Sequence, residues 1–383
     1  MRQVYTIADF IISSLGVGTP ANMAQLRAGK SGIREIEFPQ IPLQPVYASR
    51  IDDQEWLSRF SHDEQSYYTR LELQFILAIK SLLQPVDLMD LSRFLLVIST
   101  TKGNIDLMEQ SPEKALDQRA LLPVMARRIN TYFSFPHEAV VISNACISGV
   151  SAMLAGQMMI SAGHYDHVLV LGGDLFSHFV YSGFNSFMAL SKSQCKPFDK
   201  NRDGINLGEA VAGVFLSSNP GMCQNTSALA KIVGGGQSND ANHISGPSRE
   251  GLGLKIAVAK AMKQAGLTAA NIDYINAHGT ATVYNDEMEA KAFAALGLGE
   301  APLNSLKGYY GHTLGAAGIL ESVIAIWQLN EGDFLKSAGY EESGTSEPLN
   351  VLKNRQQNNE ARFALKTASG FGGGNAAIIF EKP

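Results

Sequence analysis

Cysteine is scarce in this chain: 383 residues hold three, Cys146, Cys195 and Cys223, each isolated from the others. That spacing excludes a disulfide framework and any regular Cys/His metal motif, so no metal is expected. Charge is sparse as well, at 17% of residues with a net value of −5, and no long Lys/Arg run occurs. Nucleic acid is therefore not an expected partner. Long apolar runs are missing; the N-terminal stretch at 7–15 is broken by Asp9 and too short to span a bilayer, so no membrane insertion is expected. The Gly-rich runs at 234–236 and 370–374 lack the spacing of a phosphate cradle, and no cofactor is implied. Free cysteines without a recognisable leader point to a reducing, cytoplasmic setting.

What is present is a core. Apolar residues make up 45% of the chain, typical of a well-buried enzyme, and the length suggests two or three domains. Strand-like and helix-like patterns alternate, which argues an α/β fold. Residues 140–142, 168–173 and 210–217 read as buried strands, 150–162 and 254–265 as helices, and 362–367 with 376–380 as a closing pair. The polar run Ser217-Ser218-Asn219-Pro220-Gly221 is the best linker candidate. No sequence repeat at a fixed period is evident.

Cys146 stands in Ile142-Ser143-Asn144-Ala145-Cys146-Ile147-Ser148-Gly149, where a strand gives way to a small-residue helix. A helix N-terminus favours thiolate over thiol, and its free N–H groups can cradle an oxyanion. A lone Cys is more often buried structure than nucleophile. Two histidines change that balance. His278 lies in Asn276-Ala277-His278-Gly279-Thr280-Ala281-Thr282, after an apolar run at 272–275; His312 lies in Lys307-Gly308-Tyr309-Tyr310-Gly311-His312, ahead of a helical stretch at 319–329. Both sit in Gly-containing loops, where catalytic groups concentrate. His62, His137, His164, His167, His178 and His243 lack that context.

These three segments closely resemble the motifs of β-ketoacyl-[acyl carrier protein] synthases, the elongating Cys-His-His branch of the condensing enzymes. Lys196-Pro197-Phe198-Asp199 through Gly208-Glu209-Ala210 and Ser369-Gly370-Phe371-Gly372-Gly373-Gly374-Asn375 agree with two further family segments, in family order. The resemblance runs from about Gly29 to the C-terminus. It implies a thiolase-like fold, two duplicated α/β halves in a layered α-β-α-β-α sandwich, divided here as 1–220 with the nucleophile and 221–383 with both histidines. It also implies roles. Cys146 carries the acyl group; His278 and His312 stabilise an enolate; Lys307 and Glu321 support them. Phe371 is a gate over the acyl pocket whose N–H joins that of Cys146 in an oxyanion hole, and Thr280 and Thr282 hold the pantetheine arm. The implied partner is an acyl carrier protein bearing acyl and malonyl groups, with decarboxylative condensation as the reaction and a homodimer, or a heterodimer with a ketosynthase-like chain, as the assembly.

Departures from the family bear on the substrate. The usual Gly-rich opening strand is replaced by residues 4–14. Ser99-Thr100-Thr101-Lys102-Gly103-Asn104 stands where relatives carry a small Gly/Ser run near the dimer interface and the floor of the acyl pocket. A lysine there is costly to bury unpaired. Fatty-acid elongation is the first expectation, and a specialised ketosynthase of a secondary lipid, polyene or polyketide pathway the second. A silent chain-length partner is disfavoured by Cys146 with both histidines. A thiolase is disfavoured because Cys223 lies in the linker rather than in a C-terminal Gly-rich loop.

Overall fold

Runs such as Phe94–Ser99, His167–Asp174 and Ala210–Ser217 are apolar on both faces along most of their length, and sequence of that kind folds only where both faces are covered. The computed structural model describes residues 2–37, 45–87, 90–109, 117–223, 228–240 and 248–383. Within them the first half contributes strands β1 (Val4–Ser13), β2 (Phe94–Ser99), β3 (Val140–Ile142), β4 (His167–Asp174) and β5 (Ala210–Ser217). The second contributes β6 (Ala230–Asn239), β7 (Tyr274–Asn276), β8 (Leu303–Asn304), β9 (Phe363–Gly370) and β10 (Gly374–Glu381).

These strands form one continuous path, β8-β7-β9-β10-β6-β1-β5-β4-β2-β3. It divides into two sets of identical topology. In each, the second strand lies between the third and fourth and is parallel to both, and the fifth and first follow antiparallel. The sets meet where β1 pairs with β6, Val4 opposite Ile232. A repeat invisible in the residues is thus explicit in the backbone.

The helices fall into three layers. Helices α1 (Arg70–Leu83) and α2 (Leu122–Phe133) cover the outer face of the first set. Helices α3 (Ser148–Ser161) and α4 (His178–Ser186) follow in that half, and α5 (Leu252–Ala265), α6 (Val283–Ala295) and α7 (Ala317–Glu331) belong to the second. α5 and α6 cover the outer face of the second set. α3 and α7 touch strands of both sets and form the middle of an α-β-α-β-α sandwich, sharing one apolar core with β1, β4, β5, β9 and β10. This is the thiolase-like architecture that the resemblance implies.

The expected strand at 140–142 is present but not fully buried: Val140 is 37% exposed, because β3 ends the sheet path and, among the described residues, pairs on one edge only. The opening stretch is the central strand β1. α1 begins at a capping box, Thr69 accepting from the Glu72 N–H while the Glu72 carboxylate accepts from that of Thr69.

α3 and α7 approach backbone to backbone. A methyl on Gly318 would lie 2.4 Å from the Val150 nitrogen, and one on Gly149 2.8 Å from the Ile319 nitrogen. This glycine pair brings the turn before α3 against the turn before α7. Gly318→Ala is expected to destabilise the protein by about 1–3 kcal/mol and to lower its urea midpoint; an unchanged midpoint would mean that the helices do not meet through this pair.

Candidate active site

Cys146 lies just before α3, after Ala145, whose φ of 44° is left-handed and strained for a residue with a Cβ. Ser148 braces the turn, its hydroxyl donating to the Ala145 carbonyl at 2.6 Å and accepting from the Asn144 N–H at 2.8 Å. His278 follows β7, and His312 stands between Gly311 and the segment leading into α7. The fold brings the three together: the Cys146 sulfur and one nitrogen of each imidazole lie within 4.8 Å of one another, all buried. The two rings meet edge to face, centroids 5.3 Å apart.

The tautomer of His312 follows from its neighbour. Its Nδ1 accepts the Leu314 N–H at 3.1 Å, so the proton sits on Nε2, which has no partner among the described residues. A metal would need the opposite arrangement, a bare Nε2 and a protonated Nδ1, which would face the Leu314 N–H donor to donor. The cluster therefore suits N–H donation rather than metal ligation. His278 likewise leaves Nδ1 without a partner among the described residues.

Lys307 is fully buried, donates to the His278 carbonyl at 3.1 Å and pairs with Glu321. A second buried lysine, Lys366 of β9, lies 2.7 Å from the other Glu321 oxygen. This group sets two lysines and one carboxylate beside the two imidazoles. Burial, then Lys307, then the other imidazole and Lys366 hold His278 well below the usual histidine value. Burial, Lys307 and Lys366 do the same for His312. Both rings are neutral at pH 7.

The expectation of a depressed cysteine pKa is not met. Burial pushes the Cys146 thiol up to about 11, against the pull of Lys307, of a hydrogen bond from the Phe371 N–H and of Lys102. At this buried sulfur the loss of solvation outweighs the helix terminus. Phe371 does stand at the sulfur, with its N–H aimed there and its ring 5.5 Å from Phe184 and 5.4 Å from Phe187. Phe184 in turn lies 6.5 Å from the His312 ring. Gly372, at φ 83°, turns the chain back behind Phe371. Thr280 and Thr282 face one another, hydroxyl to hydroxyl at 2.8 Å.

Cys195, which reads from the sequence as a polar-loop cysteine, is completely buried with its sulfur 3.2 Å from the Lys307 carbonyl and its thiol pushed up to about 12. It is not part of the Cys146 cluster. Three acidic residues escaped the sequence reading. Glu289 of α6 accepts from the His278 and Gly279 N–H groups at 2.9 and 2.6 Å, and Asp286 accepts from Thr280 and Phe198 at 3.0 and 2.7 Å. Asp174, at the end of β4, accepts from Thr101 and Gly315, 2.9 and 2.7 Å away. Asp286 and Glu289, three residues apart on one helix face behind the His278 loop, were the available signal. Lys366 was visible as a lone lysine in an otherwise buried strand.

Known proteins resemble this chain in sequence and fold. Residues 97–220 match the beta-ketoacyl synthase N-terminal domain and residues 229–341 its C-terminal domain. A relative from Schizosaccharomyces pombe, named putative 3-oxoacyl-[acyl-carrier-protein] synthase, mitochondrial, is 28% identical over 100% of this chain and 99% of its own. The 3-oxoacyl-[acyl-carrier-protein] synthase 2 of Staphylococcus aureus is 32% identical over 62% of this chain and 60% of its own. A solved structure titled the ishigamide ketosynthase/chain length factor superposes with a TM-score of 0.88 and 27% identity, covering 100% of this chain and 99% of the other. Among the described residues, no helix is long and apolar enough to cross a membrane.

Proposed function

The chain belongs to the beta-ketoacyl synthase family, and from that premise we propose that it extends an acyl thioester by two carbons, using malonyl-[acyl carrier protein] and releasing carbon dioxide. The observation that carries this reading is the meeting of Cys146, His278 and His312 in one buried cluster.

In the first step the Cys146 sulfur attacks the acyl carbonyl of a carrier thioester. The carbonyl oxygen takes up charge beside the Cys146 and Phe371 N–H groups, and collapse expels the carrier thiol, which leaves with the cysteine's proton. The raised thiol pKa fits a cysteine that rests protonated and loses its proton only once a thioester occupies the site. In the second step malonyl loses its carboxylate as carbon dioxide, and the bond's electron pair passes to the thioester as an enolate. His278 and His312, neutral and buried, stabilise the enolate oxygen by donated hydrogen bonds. The enolate carbon then attacks the acyl carbon on Cys146; a carbon–carbon bond forms, the carbon–sulfur bond breaks, and the sulfur regains a proton. Lys307 and Glu321 hold the His278 loop, and Thr280 and Thr282 receive the pantetheine arm. The halves 1–220 and 221–383 each supply part of the site, and the setting is cytoplasmic.

Primary fatty-acid elongation is the first assignment. A second is supported by the ishigamide relative, whose title pairs a ketosynthase with a chain length factor, and by the departure at Lys102: a specialised ketosynthase acting alone or beside a ketosynthase-like chain. The free edge of β3 lies beside a groove of about 600 Å³ lined by Leu154, Met158 and Gln237, a face suited to a second chain of this fold. Intact-mass spectrometry of carrier-bound products, with the chain alone and a panel of acyl donors, tests the reading. A carrier product two carbons longer, bearing a ketone, is expected. No extension with any donor, although Cys146 becomes acylated, would point to the partner-dependent assignment, and no acylation at all would defeat both.

A further inference from the structure

We propose that Lys102 selects the acyl donor: its ammonium lines the acyl side of the site and accepts a chain bearing an oxygen acceptor, a carboxylate or a ketone, in preference to plain hydrocarbon. This rests on the condensing reading of Cys146 above.

The placement comes from hydrogen bonds at the end of β2. The Ser99 hydroxyl donates to the Gly315 carbonyl at 2.8 Å, and the Thr100 N–H donates to the Ile142 carbonyl at 3.2 Å. Buried Asp174 gathers the next residues, accepting from the Thr100 hydroxyl at 2.8 Å and from the Lys102 N–H at 3.1 Å while also holding the Gly315 N–H. Residues 99–102 are therefore wedged between the strand leading to Cys146 and the turn following His312. Lys102 projects from that wedge.

Its side chain is half-buried, yet its ammonium makes one hydrogen bond, to the neighbouring Thr101 carbonyl at 3.4 Å, and no ion pair among the described residues. The two other lysines of the site are treated differently: Lys307 and Lys366 share Glu321. Asp174, the carboxylate closest in the hydrogen-bond network, already has its oxygens occupied by N–H and hydroxyl donors. The charge of Lys102 also acts on the Cys146 thiol, in keeping with the place of residues 99–102 beside the strand leading to Cys146. Hydrocarbon laid along this ammonium would strip its water and return no hydrogen bond; an oxygen returns one. A ketone is what the unreduced product of an earlier condensation retains, and a carboxylate is what a diacid monothioester carries. On this proposal the reaction supplying this chain's donor leaves oxygen on the acyl group rather than completing a reductive cycle, which favours the specialised ketosynthase assignment over primary fatty-acid elongation.

The test compares three carrier-bound donors of matched shape: succinyl, levulinyl and their branched alkyl counterpart isocaproyl, with acetyl as a small control. The readout is kcat/KM for acylation of Cys146, followed by intact mass. At least one oxygen-bearing donor is expected to exceed isocaproyl by about 10–100-fold, the range of one hydrogen bond to a charged group. Lys102→Met should abolish or invert that ratio, and Lys102→Arg should keep it. Isocaproyl loading as fast as both oxygen-bearing donors in the unaltered protein would overturn the proposal, as would a ratio unchanged in Lys102→Met. The succinyl and levulinyl arms distinguish the two sources of oxygen. Failure of all four donors to load Cys146 would instead strike the condensing reading itself.

Discussion

Cys146→Ala is expected to carry no acyl adduct after incubation with any carrier thioester, and to form no condensation product above background. Of the three cysteines it alone clusters with His278 and His312, whereas Cys195 is buried against the Lys307 carbonyl. Peptide mapping of the acylated, unaltered protein should place the label on the peptide containing Cys146; a label on Cys195 or Cys223 would defeat the assignment. Cys146→Gln should behave differently. Its neutral amide approximates the shape and polarity of the acylated sulfur, so malonyl decarboxylation should persist although condensation is lost. A folded Gln variant inert in both steps would contradict the division of labour between sulfur and imidazoles.

Replacing either histidine should produce the converse pattern. His278→Ala or His312→Ala is expected to slow malonyl decarboxylation by about 10²–10³-fold, the usual cost of one lost oxyanion donor, while self-acylation of Cys146 survives. The pH dependence sharpens the test. Both imidazoles are held well below the ordinary histidine value, first by burial and then by Lys307. An imidazole in this state stays neutral as pH falls through 6.5, where the unfolded chain takes up its proton. Decarboxylation should therefore run level from pH 8 past 6.5, and a decline centred on 6.5 would show that an ordinary imidazole controls the step. Stability follows the same sign. The contribution of the two neutral rings is complete above about 6.5 and is lost as acidification proceeds from there towards their lower folded values, because the unfolded chain then binds more protons than the native one.

The parts of this molecule that sequence exposes are those written in apolar runs and short motifs. The strand at 168–173 appears as β4 and the helix at 150–162 as α3, each within about two residues, because continuous burial leaves a continuous apolar signal. The residues that meet at the site come from four separate segments, and their family motifs announced them before any contact was known. The supporting charges left no such trace. Asp174, Asp286, Glu289 and Lys366 have the residue types of a solvated surface, and only the fold reveals that backbone N–H groups and a shared carboxylate receive them. The thiol pKa differs from the sequence expectation for a related reason: a helix terminus is visible in sequence, but the burial of the sulfur beside it is not. Strand order was likewise hidden, since nothing in Leu303-Asn304 indicates a parallel partner at the edge of the sheet.

The position of β1 has a consequence for how the protein is made. The strand leaves the ribosome well before its long sheet neighbours β5 and β6, with Tyr5 opposite Ser217 and Val4 opposite Ile232. At ordinary translation speeds, on the order of 10–50 s pass before either neighbour exists. Throughout that interval a ten-residue, largely apolar segment has only the two-residue strand Gly16–Val17 to pair with, at its C-terminal end. The sheet of the half that holds Cys146 therefore gains its last long neighbour only with the emergence of a strand belonging to the other half.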